Sequence, residues 1–513
     1  MLESAIRAIA PVWALKREQS RLALVALQDA ARTYDAARTS RRTQGWLPQN
    51  ASPEVLLETA LPMLRARSRD LVRNNPYASA AVDIATSYQV GTGIVPQSRT
   101  GDAALDKRAN QLWEDWAPHA DGAGRHHLYG IQAQAARARI EAGEVLVRLR
   151  PLPADEQSQR GTPVPLVLHV MEADHLDPMP GIRPSESDLV QGVRLDRWGR
   201  PSAYRIRTEH PGSQLPSWQA QEVPARWMLH LFRQDRPGQV RGVPDLAPVI
   251  TRLRMLDEYE DATLAQAIVQ ACVAAFVTSP AASGAGPFEM SGKAAEGSVG
   301  GGGDGRTRRI TPAMIERLLP GEAVDFLTPS GSGPFAEFAR HQLRAIATGL
   351  GLTYDLITGD LSQANYSSLR AGRLAFKRRL EQLQWTLLIP NLCQPIWDAF
   401  IAAAQAGGTL PARPGPWPVE WAPPRFEMVD PLKDTAAIQM QLRLGLITWG
   451  QAVAEMGWDP QRQADEIKDW NANHDKRGLV LDGDPRRTAR AGGAQDADQN
   501  AAIEIAATGA ASG

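Results

Sequence analysis

The chain has 513 residues and a mass of 55.8 kDa, with 56 Lys plus Arg against 57 Asp plus Glu, so its formal net charge is −1. That length calls for roughly two to four structural units, and the charge balance excludes a histone-like DNA coat, a polybasic membrane binder and an acidic solvating chain. Hydrophobic residues at 43% and charged residues at 22% are globular values that exclude wholesale disorder. Cys272 and Cys393 lie far apart, which rules out a disulfide framework and a cysteine-based zinc site and is read as a reducing compartment. The N-terminus carries Glu3 and Arg7 and no cleavage site, so no signal peptide is expected. The apolar stretch Ala262 to Val277 is interrupted by Thr263, Gln266 and Gln270, short of a membrane span, and a soluble intracellular protein is expected.

In chain order, the first 50 or so residues read as a helix and then a basic arm through Arg38, Arg41 and Arg42. Ser52-Pro53-Glu54 supplies an N-cap and a first-turn proline, so helix is predicted from Pro53, with a second opening at Pro76 and broken at Gly91 and Gly93. Strands are predicted at 144–150, 164–170, 190–196, 203–207 and 227–232, with a turn at Trp198-Gly199-Arg200-Pro201. These elements make an α+β body over about 53–240.

Leu246, Val249, Ile250, Leu253 and Leu256 recur at helical spacing, predicting a long helix over 244–277 with Asp245 stabilising its first turns. Its second half is Ala-rich on nearly every face, which suits a helix packed closely between neighbours. Residues 279–305 are a Gly/Ser/Ala-rich insertion. A short helix at Thr311-Pro312 and a strand over 323–327 complete a small inserted subdomain. A second helix over 335–350, a polar loop over 354–366 and a third long helix over 367–404, interrupted by Pro390 and Pro395, follow. A proline-rich connector at 411–424, a helical region from Asp430 to about His474 and an Ala/Gly/Asp/Gln tail end the chain.

Nucleotide chemistry is not encoded. Around Gly292-Lys293 a phosphate loop would need Gly where Pro287 stands and Ser or Thr where Ala294 stands. Gly91-Thr92-Gly93 lacks a third glycine. Glu172, Asp174, His175 and Asp177, with His126 and His127, have the donor types of a hydrolase metal site, but no HExxH-type motif accompanies them and turn chemistry explains the aspartates as well. Ser367 and Ser368 lack a nucleophile elbow and stand where a helix needs its N-cap. Cations recur at Arg65, Arg67, Arg69 and Arg73 and again at Arg370, Arg373, Lys377, Arg378 and Arg379, either as phosphate contacts or as solvated and ion-paired faces.

Several motifs in this order resemble the lambda-type bacteriophage portal proteins. They are Arg67-x-Arg69-Asp70-Leu71-x-Arg73-Asn74-Asn75-x-Tyr77, Gly91-x-Gly93-Ile94 and Glu172-Ala173-Asp174-His175-Leu176-Asp177-Pro178. Gly192-Val193-x-Leu195-Asp196-x-x-Gly199-Arg200-Pro201, Arg236-Pro237-Gly238-Gln239-x-Arg241-Gly242-Val243-Pro244 and Asn365-Tyr366-Ser367-Ser368-x-Arg370-Ala371-Gly372 follow. The resemblance covers about 34–482 and implies an α+β portal fold with an N-terminal arm over 1–52 and a wing over 53–241. It further implies stem helices over 242–277 and 335–350, a clip over 278–334 and a channel loop over 351–366. A long wing helix and connector over 367–425, a crown over 426–482 and a disordered tail over 483–513 complete it.

By the same resemblance the chain forms a non-enzymatic dodecameric ring at one capsid vertex, without cofactor, metal or membrane. Its partners would be the terminase large subunit, major capsid and scaffold proteins, head completion and tail connector proteins, and double-stranded DNA passing through the channel. It would be assembled in the host cytoplasm and carried in the virion. Asp355, Asp360, Ser362, Gln363 and Asn365 are expected to line the channel, with Glu258 and Asp261 from the first stem helix. Arg236, Arg241, Ser367 and Arg370 are expected to make inter-subunit or capping contacts. The competing readings are a metal-dependent hydrolase built on His126, His127, Asp174, His175 and Asp177, and another head–tail adaptor.

Overall fold

Apart from scattered positions before residue 48, the structure, a computed structural model, describes residues 48–178, 188–214, 219–272, 276–277, 316–317, 335–362, 366–424, 431–458 and 460–479. The chain divides into Met1–Leu56 and Leu57–Gly513, and every contact below lies within the second unit. Helices α1 (Pro53–Asn74) and α2 (Pro76–Val90) begin at the two predicted prolines. The Asn75 side chain caps α2 by accepting from the Ala78 N–H at 2.8 Å. Then come β1 (Val95–Ser98), α3 (Ala103–Trp116) and α4 (Leu128–Ala142), the last absent from the sequence reading. Its buried Leu128, Ile131, Gln132, Ala135, Ala136, Arg139 and Ile140 lie on one face, but that face carries Gln132 and Arg139 while Ala133 and Ala138 stand outside it, so the apolar periodicity is blurred.

The predicted strands form two sheets. Strands β2 (Glu144–Pro151), β3 (Leu166–Glu172) and β8 (Met228–Phe232) are antiparallel in the order β3-β2-β8, with a short helix α5 (Ala154–Arg160) between β2 and β3. Strands β4 (Leu189–Val190), β5 (Val193–Leu195), β6 (Pro201–Arg207) and β7 (Ala220–Pro224) form an antiparallel meander. The single strand expected over 190–196 is thus two short strands folded back at Gln191-Gly192. Asp196 organises the next turn, accepting from the Trp198 and Arg200 N–H groups at 2.8 Å.

The long helix is shorter than its periodicity suggests. Pro248 has no N–H to donate, residues 245–249 form turns, and α6 runs Ile250–Cys272. Phe276–Val277 (β9), expected at the end of that helix, instead pairs in parallel with Glu316–Arg317 (β10). The helix predicted at 311–312 and the strand over 323–327 lie outside the described residues. Helix α7 (Phe335–Leu350) packs on α6, and Tyr259 stacks with Phe335 at 5.6 Å between ring centroids. The loop expected over 354–366 opens with a helix, α8 (Tyr354–Thr358).

The third long helix is α9 (Tyr366–Leu383), a π-helical segment over Gln384–Cys393 and α10 (Gln394–Ala406). Pro390 lacks an N–H and crowds the carbonyl one turn back, which widens the ladder without ending the helix. Leu369–Ala406 is long and apolar enough to cross a membrane, but Leu387, Leu388, Leu392, Ile396, Trp397 and Phe400 are buried in the core. Strand β11 (Val419–Ala422), inside the proline-rich connector, pairs with β1. Helices α11 (Pro431–Arg443), α12 (Trp449–Glu455) and α13 (Pro460–Arg477) end the described chain.

The main core joins α3, α4 and the β3-β2-β8 sheet to the π segment and α10. At its centre Trp113, Trp116, Trp397 and Phe400 pack with ring centroids 5.0 to 5.7 Å apart. Phe400→Ala is expected to lower the unfolding free energy by about 3–5 kcal/mol in urea denaturation, because the fixed indoles cannot collapse into the void. Leu374→Ala, on the exposed side of α9, should stay within about 0.5 kcal/mol of the parent.

Candidate functional site

Two regions carry the polar chemistry: the segment around α8, and a set of buried arginine–carboxylate clusters where the α+β body meets the start of α6. Helix α8 is anchored by Ile357, which packs with Ala81, Ala347, Leu352 and Phe376. Asp355 lies in its first turn and is half-buried, so it sits on a helix instead of in the expected loop. After the helix, the Tyr354 hydroxyl donates to Asp360 Oδ2 at 3.0 Å and the Ser362 N–H donates to Oδ1 at 3.0 Å. Hydrogen bonds from Ser362, and then from Tyr354, hold the Asp360 carboxyl below its usual range. Ser362 and Leu361 are exposed beside it.

Gln363 and Asn365 lie outside the described residues. Ser367 stands inside the first turn of α9, which begins at Tyr366, and its capping role is not described. On α6, Glu258 is exposed and paired with Arg254 at 2.9 Å, and Asp261 is exposed. Burial, then the neighbouring Asp257 and Asp261, raises the Glu260 carboxyl.

Glu144, the first residue of β2, is fully buried. Arg65 from α1 pairs with its Oε1, and Arg241 Nη2 reaches the same oxygen at 2.8 Å. The Gly242 N–H donates to Oε2 at 2.8 Å, and so does His230 Nε2 from β8 at 2.8 Å, because a carboxylate can only accept. Burial pulls Arg65 down to about 9 and Arg241 to about 10, so both remain charged at neutral pH. Burial, then Arg241 and Arg65, holds His230 well below its usual value, and it is neutral. Gly242 is required by contact: a Cβ there would lie 2.2 Å from the Gly143 carbonyl oxygen. Arg241, expected in inter-subunit or capping contacts, is bonded within its own chain; it also donates from Nη1 to the Gln191 carbonyl at 2.7 Å.

A second cluster gathers at Asp245. Instead of stabilising a first helical turn, its carboxylate takes Arg139 Nη1 at 3.0 Å and Arg233 Nη1 at 3.1 Å. Arg236 is exposed in the preceding turn, and Arg370 reaches Asp434 of α11 at 3.4 Å within the same chain.

The hydrolase constellation does not assemble. His127 accepts from the Tyr129 N–H at the start of α4, and the backbone N–H of His126 donates to Asp121. Asp177 is held by Arg205 at 3.0 Å and Arg207 at 2.8 Å, and His175 Nδ1 lies 3.1 Å from the Arg207 carbonyl oxygen. Glu172, Asp174 and His210 do place ligand atoms within 4.8 Å of one another. Arg69 sits on both of those carboxylates, at 3.3 and 2.7 Å, and its guanidinium occupies the charge a cation would need. Sequence reasoning missed Glu144, His230, Arg139 and Arg233; the signal it had was a charged residue opening an otherwise apolar strand straight after Gly143.

Residues 39–384 match the family described as phage portal protein, lambda family. A probable portal protein of Halomonas phage phiHAP-1 is 25% identical over 463 residues, spanning 85% of this chain and 85% of its own. Portal protein B of Escherichia phage lambda is 22% identical over 471 residues, spanning 82% and 85%. Among solved structures, a chain from the neck of an empty gene transfer agent (GTA) particle aligns over 77% of this chain and 94% of its own, with 16% identity and a TM-score of 0.43.

Glu144→Ala removes the carboxylate shared by two buried guanidinium groups, leaving Arg65 with Asp174 at 3.6 Å and Arg241 with backbone carbonyls, and is expected to cost about 3–5 kcal/mol of stability, read by chemical denaturation. His230 yields a pH signature of known sign. Its folded pKa is depressed, so its contribution is fully present above the unfolded value of about 6.5 and is lost as pH falls below it. His230→Gln should flatten the melting temperature between about pH 7 and 5 relative to the parent.

Proposed function

Because the chain belongs to the lambda family of phage portal proteins, we propose that it assembles with copies of itself into a dodecameric ring through which double-stranded DNA enters and leaves the head. It is a structural component of the virion, located at the capsid. In this reading the α+β body with α9 and α10 is the wing, α6 and α7 are the stem, 278–334 is the clip and α11–α13 belong to the crown. The ring nucleates head assembly in the host cytoplasm, docks the terminase large subunit, contacts capsid and scaffold proteins, and later receives the head completion and tail connector proteins.

One observation carries the ring. From Ala262 to Ile268, α6 is largely exposed although it is built of Ala262, Ala265 and Ala267 with Leu264, 62% exposed, and Ile268, 54% exposed. Such a thin, apolar helix suits a wall in which each copy packs against the next through a heterologous, closing contact. Asp355, Asp360, Ser362, Gln363 and Asn365 are assigned to the channel, with Glu258 and Asp261 of α6, where carboxylates repel the passing phosphates. Arg236, Ser367 and Arg370 are kept as inter-subunit contacts or caps. The hydrolase reading loses its support to the arginines that neutralise Asp174 and Asp177.

Electron microscopy of the purified full-length chain should show rings with a central opening, and a persistent monomer at every protein concentration would reject the reading. Asp355→Lys combined with Asp360→Lys is expected to leave the rings intact and slow packaging of linear duplex DNA. A parent-like packaging rate would remove these residues from the channel.

A further inference from the structure

The chain leaves α8 through residues 359–362, and most of the bonds that shape this exit are local. Gly359, with φ of +68°, turns the backbone out of the helix, and its N–H donates to the Asp355 carbonyl at 2.9 Å. The Asp360 N–H donates to the Thr358 hydroxyl at 3.2 Å, and that hydroxyl donates to the Tyr354 carbonyl at 2.9 Å. The Ser362 N–H closes the turn on Asp360 Oδ1 at 3.0 Å. Each of these joins residues no more than four apart, so they fold the exit without tying it to the body. Leu361 is 58% exposed and gives the segment no apolar anchor. The bond from the Tyr354 hydroxyl to Asp360 Oδ2, at 3.0 Å, is of another kind, because its donor is seated in the core. The Tyr354 ring packs against the cluster of Leu246, Leu253, Leu343 and Ile346 where α6 meets α7. The Arg344 guanidinium of α7 stands 5.6 Å from the centre of the same ring.

We propose that Tyr354 is a positioning residue for the channel: its hydroxyl holds Asp360, and through Asp360 the exit at 359–362, against the helix pair α6 and α7. The inference rests on the channel reading and changes what Asp360 does within it. As a bare charge on a channel wall, Asp360 would repel phosphates wherever its side chain swung. With one oxygen on the Ser362 N–H and the other on the Tyr354 hydroxyl, it is a tether, and its charge strengthens both hydrogen bonds. Tyr354→Phe separates the two roles, since it deletes the hydroxyl and keeps both the ring packing and the carboxylate charge.

The test compares the full-length parent, Tyr354→Phe, Asp360→Ala and the double variant by hydrogen exchange over 359–362, melting temperature and packaging of linear duplex DNA. In Tyr354→Phe the amides of 360–362 should exchange about fivefold faster, as the loss of one net hydrogen bond predicts, while the melting temperature stays near the parent's. Tyr354→Phe should also slow packaging, and the double variant should be no slower than Asp360→Ala, because both changes break one tether. Parent-like exchange in Tyr354→Phe overturns the tether. Faster exchange with packaging at the parent rate confines the bond to the chain's own fold and overturns the positioning role. Additive losses in the double variant overturn it too, since Tyr354 would then act without Asp360. Should Tyr354→Phe melt well below the parent, Asp360→Glu decides, because it keeps the charge and misplaces the carboxylate. Faster exchange with slower packaging in that variant upholds the proposal, and parent-like values reject it. If the parent forms no rings or packages no DNA, the channel reading falls and takes this inference with it; a parent that packages DNA, matched by Tyr354→Phe, sinks this inference alone.

Discussion

Glu144 is the point on which the described body turns. A fully buried carboxylate is tolerable only when charge and hydrogen bonds are both supplied, and here four partners supply them from α1, β8 and the segment leading into α6. Each partner fixes one element against β2: Arg65 sets α1, His230 sets β8, and Arg241 with Gly242 sets the path toward α6. An apolar residue at 144 would pack with less desolvation, yet it would deprive two buried guanidinium groups of their shared carboxylate. The geometry needed to satisfy Glu144 also brings Gly143 and Gly242 into backbone contact, where no side chain fits. Position and direction of the outgoing helix therefore follow from one charge.

The Asp245 cluster extends this logic a few residues along the chain. Glu144 is enclosed by Arg65 and Arg241, and Asp245 is likewise held by Arg139 and Arg233, the latter shared with Asp235. Both arrangements tie the body to the segment that leads into α6.

Much of the architecture was legible in the residues. Pro53 and Pro76 mark helix starts because their fixed φ and missing N–H suit a first turn, and the strands of both sheets follow their alternation. Helix α4 was not legible, because its buried face carries Gln132 and Arg139 and its other face carries alanines, which blurs the apolar periodicity. Strand β11 was hidden by the prolines around it, and its partner β1 lies more than 300 residues away, beyond any local signal. The start of α6 was misplaced because apolar spacing continues through Pro248, where hydrogen bonding cannot. The helix under Asp355 was not legible either, since the segment reads as a polar loop. Arg241 pairs with Glu144, and nothing in the sequence marks that carboxylate as its partner.

The aromatic centre of the main core has a consequence in time. Trp113 and Trp116 are made early in synthesis, and the residues that enclose them, Trp397 and Phe400, follow 284 positions later, counting from Trp116 to Phe400. At about 5–20 residues per second, the indoles wait on the order of tens of seconds before their cover emerges from the ribosome. The β1–β11 pairing and the Gln384 bond to the Gln89 carbonyl close over the same interval. The main core is thus completed only after α6 and α7 have been translated, so a nascent chain cannot present a finished subunit face, and recruitment of copies is deferred until the polypeptide is nearly whole.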